Sequence, residues 1–98
     1  MSVVALFDLH AAPGRADDIA AVLHRILVDT RAFDGNLEAT VIRDADDPQH
    51  VSVLARWASL EHHEAYLAWR AGDGAVPELA DLVDREPGGS RHVVDPGA

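Results

Sequence analysis

Residues 33–69, FDGNLEATVIRDADDPQHVSVLARWASLEHHEAYLAW, decide the fold. Two runs in this stretch alternate as strands: residues 37–43, with Leu37, Ala39 and Val41 against Glu38, Thr40 and Ile42, and residues 50–57. Asp44-Ala45-Asp46-Asp47-Pro48 between them is a turn by composition, so the pair reads as a hairpin with a longer loop. Ser59 then caps a helix over about residues 60–70, with Glu61 in its first turn, where a carboxylate suits the helix dipole.

Upstream of the hairpin, Ile19, Val22, Leu23, Ile26, Thr30 and Phe33 fall on one stripe of a helix over residues 16–33. Asp17 and Asp18 occupy its first turn, and Gly35 supplies a left-handed stop. Residues 3–10 form a strand bounded by Pro13-Gly14. Downstream, Gly72-Asp73-Gly74 ends the second helix and Pro77 opens a shorter one reaching Asp84. Pro87-Gly88-Gly89 breaks it before a last strand over residues 90–95. The order predicts an α+β, ferredoxin-like split βαβ domain over residues 1–98, an antiparallel sheet with helices on one face.

The sheet has one apolar surface too many. Val3, Ala5, Phe7 and Leu9 line one face of the first strand and Val4 and Leu6 the other; Val51, Val53, Ala55 and Trp57 stand opposite Leu54 on the third. Helices cover one face, so a second copy is expected on the other, a homodimer that a charge at Val53 should split. A 98-residue chain, which buries only about 60–65% of its unfolded surface, gains from such a contact.

Charge and composition exclude several classes. Eight Lys+Arg against seventeen Asp+Glu give a net charge of −9, which disfavours nucleic-acid and anionic-membrane partners. With no cysteine there is no disulfide, thiolate metal site or thiol catalysis. No apolar run is long enough for a membrane span, and MSVVALFDLH is not a signal peptide, so a cytoplasmic domain is expected. No GxGxxG, Walker loop or HExxH is present, and no cofactor or metal is expected. The six histidines at 10, 24, 50, 62, 63 and 92 are scattered, and only His10 and His92 would approach if the first and last strands pair.

Pro13-Gly14 before the first helix, Gly35 before a strand, Arg43-Asp44, the Asp47-Pro48 turn, Arg56-Trp57 at a strand end and the Ser59 cap occur in an order that resembles the antibiotic biosynthesis monooxygenase (quinol monooxygenase-like) family of dimeric α+β barrels. The resemblance covers roughly residues 3–84. It implies a pocket between sheet and helices. It also implies cofactor-independent oxidation of an aromatic polyketide, anthrone or quinol by molecular oxygen, in which the deprotonated aromatic itself passes an electron to oxygen. Trp57 matches the family's strand-end tryptophan, whereas Tyr66 and Ala71 stand where many members carry histidines, so a relay through those imidazoles does not transfer. The Asn and His of haem-degrading relatives have no counterparts in Phe7-Asp8 or residues 77–84, which disfavours haem degradation.

On the second helix Leu60, His63, Leu67 and Ala71 share a sector, with Tyr66 and Arg70 at its edge. His63 is the expected catalytic base, or else a core histidine bonded to a backbone carbonyl. Tyr66 is the expected donor to a substrate oxygen, or else carries its hydroxyl to water. Trp57 and Phe7 would contact a flat substrate, Asp8 and His10 would bind or orient one if their face lines the pocket, and Arg70 would steady an anion. Two other readings stay open. One is a cofactor-free cyclase or isomerase acting on an enolisable polyketide-like substrate; the other is a non-catalytic small-molecule-binding dimer.

Overall fold

The expected hairpin pairs β2 (Asn36–Arg43) with β3 (His50–Trp57), Ala39 opposite Ala55 and Val41 opposite Val53. The register shifts between Asn36 and Glu38, so Leu37 falls out of the alternation and is exposed. In this computed structural model, which describes residues 2–96, β3 also pairs with β1 (Val3–His10), and β1 with β4 (Gly88–Val93). The sheet order is β2-β3-β1-β4, antiparallel throughout. Helices α1 (Ala16–Ala32) and α2 (Leu60–Arg70) and a 3₁₀ turn over Pro77–Asp81 complete the split βαβ order. No helix among the described residues is long and apolar enough to cross a membrane.

The core lies between one sheet face and α1. Val3, Ala5 and Leu9 meet Trp57, Ala55 and Val51 in register and are buried together against Ile19, Leu23 and Leu27. Each Val, Leu and Ile side chain among them contributes roughly 1.5–3 kcal/mol on burial. Gly35 ends α1 with φ +85°, and a Cβ there would collide with the His62 ring. Ser59 Oγ accepts the His62 backbone N–H and caps α2.

Three expectations are corrected. The shorter helix is a 3₁₀ turn ending at Asp81, because the Ala11–Val83 bridge pulls the following chain onto the end of β1. The last strand runs over Gly88–Val93, two residues earlier than expected. Val53 faces the helices, 8% exposed, and does not lie on the far face; Val4, Leu6 and Leu54 carry the apolar surface there. That far face is mixed. It also holds Asp8, His10, His50 and Ser52, since alternation forces every second residue of β1 and β3 onto it.

These polar residues form two clamps at one end of the sheet. The His50 imidazole sits between Asp44 (3.0 Å) and Asp8 (3.1 Å), and His10, directly opposite, between Asp84 (3.0 Å) and Asp47 (3.3 Å). The hydrogen bond to Asp44, then that to Asp8, raises the His50 pKa above the ordinary 6.5. A raised folded pKa means stabilisation that is complete below the unfolded value and lost as pH rises through the folded one. His50→Gln is therefore expected to lower the melting temperature more at about pH 6 than at about pH 9. Thermal unfolding of both proteins at the two pH values checks this, and an equal loss at both would refute it.

Candidate active site

The two helices leave part of the sheet face open, and a cavity of about 680 Å³ remains between them, within the range of small-molecule sites. β1 and β3 line it with Ala5, Phe7, Val53, Ala55 and Trp57; α1 contributes Leu23, Ile26, Leu27 and Thr30. α2 presents His63, Tyr66, Leu67 and Arg70, and Leu79, Gly89, Ser90 and Arg91 close the far side. Phe7 at 39% and Leu67 at 47% exposure are apolar groups left open at this cavity.

The expected sector of α2 faces the cavity in part, through His63 and Leu67, and its buried side extends towards Tyr66, Trp69 and Arg70. His63 is buried and Tyr66, Trp69 and Arg70 half-buried, whereas Leu60, Leu67 and Ala71 are exposed. The reason is a polar network that makes the inward turn of Tyr66 and Arg70 favourable. Arg70 Nε donates to Tyr66 Oη (2.8 Å), and its Nη2 donates to Thr30 Oγ1 and Ile26 O, both 3.0 Å. Thr30 Oγ1 donates to Ile26 O at 3.4 Å, which leaves the Tyr66 hydroxyl as donor to Thr30 at 2.7 Å. The Tyr66 proton thus goes to Thr30, not into the cavity, and Tyr66 holds the wall. The guanidinium also lies 4.6 Å from the Trp69 ring centroid.

Trp57 belongs to an aromatic cluster with Phe33, His63, Tyr66 and Trp69. Its ring centroid lies 4.8 Å from Tyr66, 5.6 Å from His63 and 6.1 Å from Phe33, the last edge-on. Trp57 Nε1 and His63 Nδ1 are buried and have no hydrogen-bond partner, and both residues line the cavity. Buried polar atoms are ordinarily paired, so two orphans in residues of one cavity wall are unusual; both atoms are covered in this conformation, and a ligand atom reaches them only when the wall shifts. Burial pushes the His63 pKa below 6.5, the Arg91 charge adds to the drop, and Glu64 opposes it. His63 is accordingly a neutral imidazole at neutral pH. No backbone carbonyl satisfies its Nδ1, unlike the expected core histidine.

Phe7, Trp57, His63, Tyr66 and Arg70 are brought together; Asp8 and His10 are not. Their strand parity turns both to the opposite sheet face, into the two clamps. β1 and β4 do pair, yet His92 lies opposite Val4, six residues along the strand from His10, about 20 Å at the strand rise. Among the described residues no group of three or more His, Asp or Glu side chains is arranged to hold a metal ion. Thr30 and Arg91 were not singled out by sequence reading. Thr30 reads as one more position of the α1 stripe, and Arg91 reaches the cavity only through the pairing of β4 with β1.

The sequence profile of the antibiotic biosynthesis monooxygenase family matches residues 2–75. Among solved structures the chain is similar to a candidate antibiotic biosynthesis monooxygenase from Deinococcus radiodurans, 23% identical with TM-score 0.84, over 98% of this chain and 95% of that one. It is also similar to SnoaB, a cofactor-independent oxygenase from Streptomyces nogalater, 15% identical with TM-score 0.79, over 95% and 92%. A conserved protein from Methanosarcina mazei is 12% identical with TM-score 0.83, over 94% and 91%. No functionally curated protein matches the chain in sequence.

Thr30→Val keeps the shape of the side chain but removes the acceptor of both Tyr66 and Arg70. The expected cost is about 1–3 kcal/mol, because two half-buried donors lose a partner. Chemical denaturation measures it, and a loss under about 0.5 kcal/mol, the scatter of surface substitutions, would show the network to be dispensable.

Proposed function

The chain belongs to the antibiotic biosynthesis monooxygenase family, and we propose that it is a cytoplasmic, cofactor-independent monooxygenase oxidising an aromatic polyketide, anthrone or quinol-type substrate with molecular oxygen. One observation carries this reading: a neutral imidazole and an indole, each with an unpartnered ring nitrogen, belong to residues that line the same apolar cavity. The substrate's ring system lies against Phe7 and Trp57. The Trp57 N–H, uncovered as the wall adjusts to the ring, donates to the substrate oxygen and favours the enolate over the ketone. For an anthrone, His63 takes a proton from the ring methylene, and the resulting carbanion is delocalised onto that oxygen.

The electron-rich anion then passes one electron to oxygen, and the two radicals combine to form a carbon–oxygen bond. The peroxide takes up the proton held by His63. Loss of water, with the remaining methylene hydrogen, leaves a carbonyl. One anthrone and one oxygen molecule thus become one quinone and one water. The protein's share is to bind the ring, keep water away and hold the proton. Tyr66 and Arg70 act by position, fixing the wall from which His63 projects.

The test is oxygen uptake by the purified protein with an anthrone under air. The expected result is one quinone formed per oxygen consumed, with His63→Ala slower by about 10²–10⁴-fold. As a base His63 works only when neutral, so the rate should fall on acidification through a pKa below the ordinary 6.5 and be level above it. Uptake no faster than in buffer sinks the proposal. A product of unchanged mass, formed equally well without oxygen, replaces it with the cyclase or isomerase reading.

We also propose that the working form is a homodimer packed through the far face of the sheet. Val4, Leu6 and Leu54 remain half-buried there in the single chain, with Ile42 39% exposed beside them. A standard interface buries about 800 Å² per partner, and this face is where such an area of apolar surface is on offer. Leu54→Asp should halve the mass seen by light scattering at micromolar concentration. A wild-type chain that already scatters as a monomer would overturn the dimer.

A further inference from the structure

The cavity wall has a charge opposite to that of the protein. Seventeen Asp and Glu residues against eight Lys and Arg give the chain a net charge of −9, yet none of the seventeen lines the cavity, while Arg70 and Arg91 do, beside the neutral His63. Arg70 spends its N–H groups on the neutral oxygens of Tyr66, Gly74, Ile26 and Thr30, so these bonds leave its charge uncancelled. Arg91 stands differently. It projects from the edge strand β4 opposite Ala5 and gives an Nη1 hydrogen to Glu64 at 3.3 Å. Both ends of that pair are open to water, at 41% and 62% side-chain exposure. Such an exposed pair is worth little and is readily exchanged for a better-placed anion. Arg91 also depresses the His63 pKa through space, so its charge is felt where the reaction is proposed to occur.

We infer that the ligand of this cavity is an aromatic acid, whose apolar rings lie along Phe7, Trp57 and Leu67 and whose carboxylate displaces Glu64 from Arg91 at the rim. The planar fork of a guanidinium matches a carboxylate in two parallel hydrogen bonds. An acidic protein repels such a ligand at long range, and a cationic rim restores the attraction only at the entrance. Arg91 would then set which aromatic is accepted and how it lies, with its acid group at the mouth and its reacting ring inside. This deepens the proposed oxygenase reading and rests on the same cavity.

Calorimetric titration with anthraquinone-2-carboxylate and with its methyl ester tests the inference without any turnover. The acid is expected to bind about tenfold tighter than the ester, a gap that Arg91→Gln narrows to about twofold and that added salt also narrows. Glu64→Gln, which removes the competing carboxylate, is expected to tighten the acid about two- to fivefold without helping the ester. This second variant keeps the test open should Arg91→Gln fail to fold. Acid and ester binding equally, or a preference that survives Arg91→Gln, overturns the role of Arg91 and leaves the oxygenase proposal standing. If neither ligand binds the wild-type protein, the aromatic-acid inference falls, and the oxygenase reading is decided separately by oxygen uptake with the anthrone.

Discussion

A guanidinium between two helices is the constraint on which the cavity depends. Arg70 joins α2 to α1 through Thr30 and Ile26 and holds the Tyr66 ring in place by its hydroxyl. Apolar side chains at these positions would close on one another, because unfilled space among apolar groups is unfavourable. A network of directional bonds instead sets a separation, and the space left over is lined by Ala5, Ala55 and Val53, too small to fill it. His63, Trp57 and Phe7 gain access to a ligand because of that separation.

The sheet divides two kinds of chemistry between its faces. The helix side holds neutral or cationic groups in apolar surroundings, where an imidazole is kept neutral and an N–H is kept unpaired. The far side holds His10 and His50, each set between two carboxylates, and at His50 those carboxylates favour the charged imidazole. One strand, β1, supplies both: Ala5 and Phe7 to the cavity, Asp8 and His10 to the clamps. Two histidines with the same intrinsic chemistry thus have pKa values displaced in opposite directions, His63 pushed down by burial and His50 pulled up by Asp44 and Asp8.

The periodicities of the chain determined the elements. Alternation in residues 37–43 and 50–57, the 3–4 stripe of residues 16–33, the Ser59 cap and the Gly35 stop each act within a few residues, so they are legible without a partner. The same local logic brought Trp57, His63, Tyr66, Arg70 and Phe7 onto the candidate site. It placed strand ends and the short helix less well. The bridge from Ala11 to Val83 and the pairing of β4 are contacts between distant parts of the chain.

Only the tertiary structure decided which way those elements face. Strand parity offers two faces and cannot say which one the helices cover, so Asp8 and His10 went to the clamps and Val53 to the helix side. The roll of α2 was decided by Thr30, thirty-six residues away from Tyr66, whose hydroxyl makes an inward tyrosine and arginine favourable. Arg91 became a cavity residue because β4 lies beside β1. Helix and strand follow from the spacing of apolar residues along the chain. Orientation and the sites it creates follow from which polar groups find partners across it, and those partners are distant in sequence.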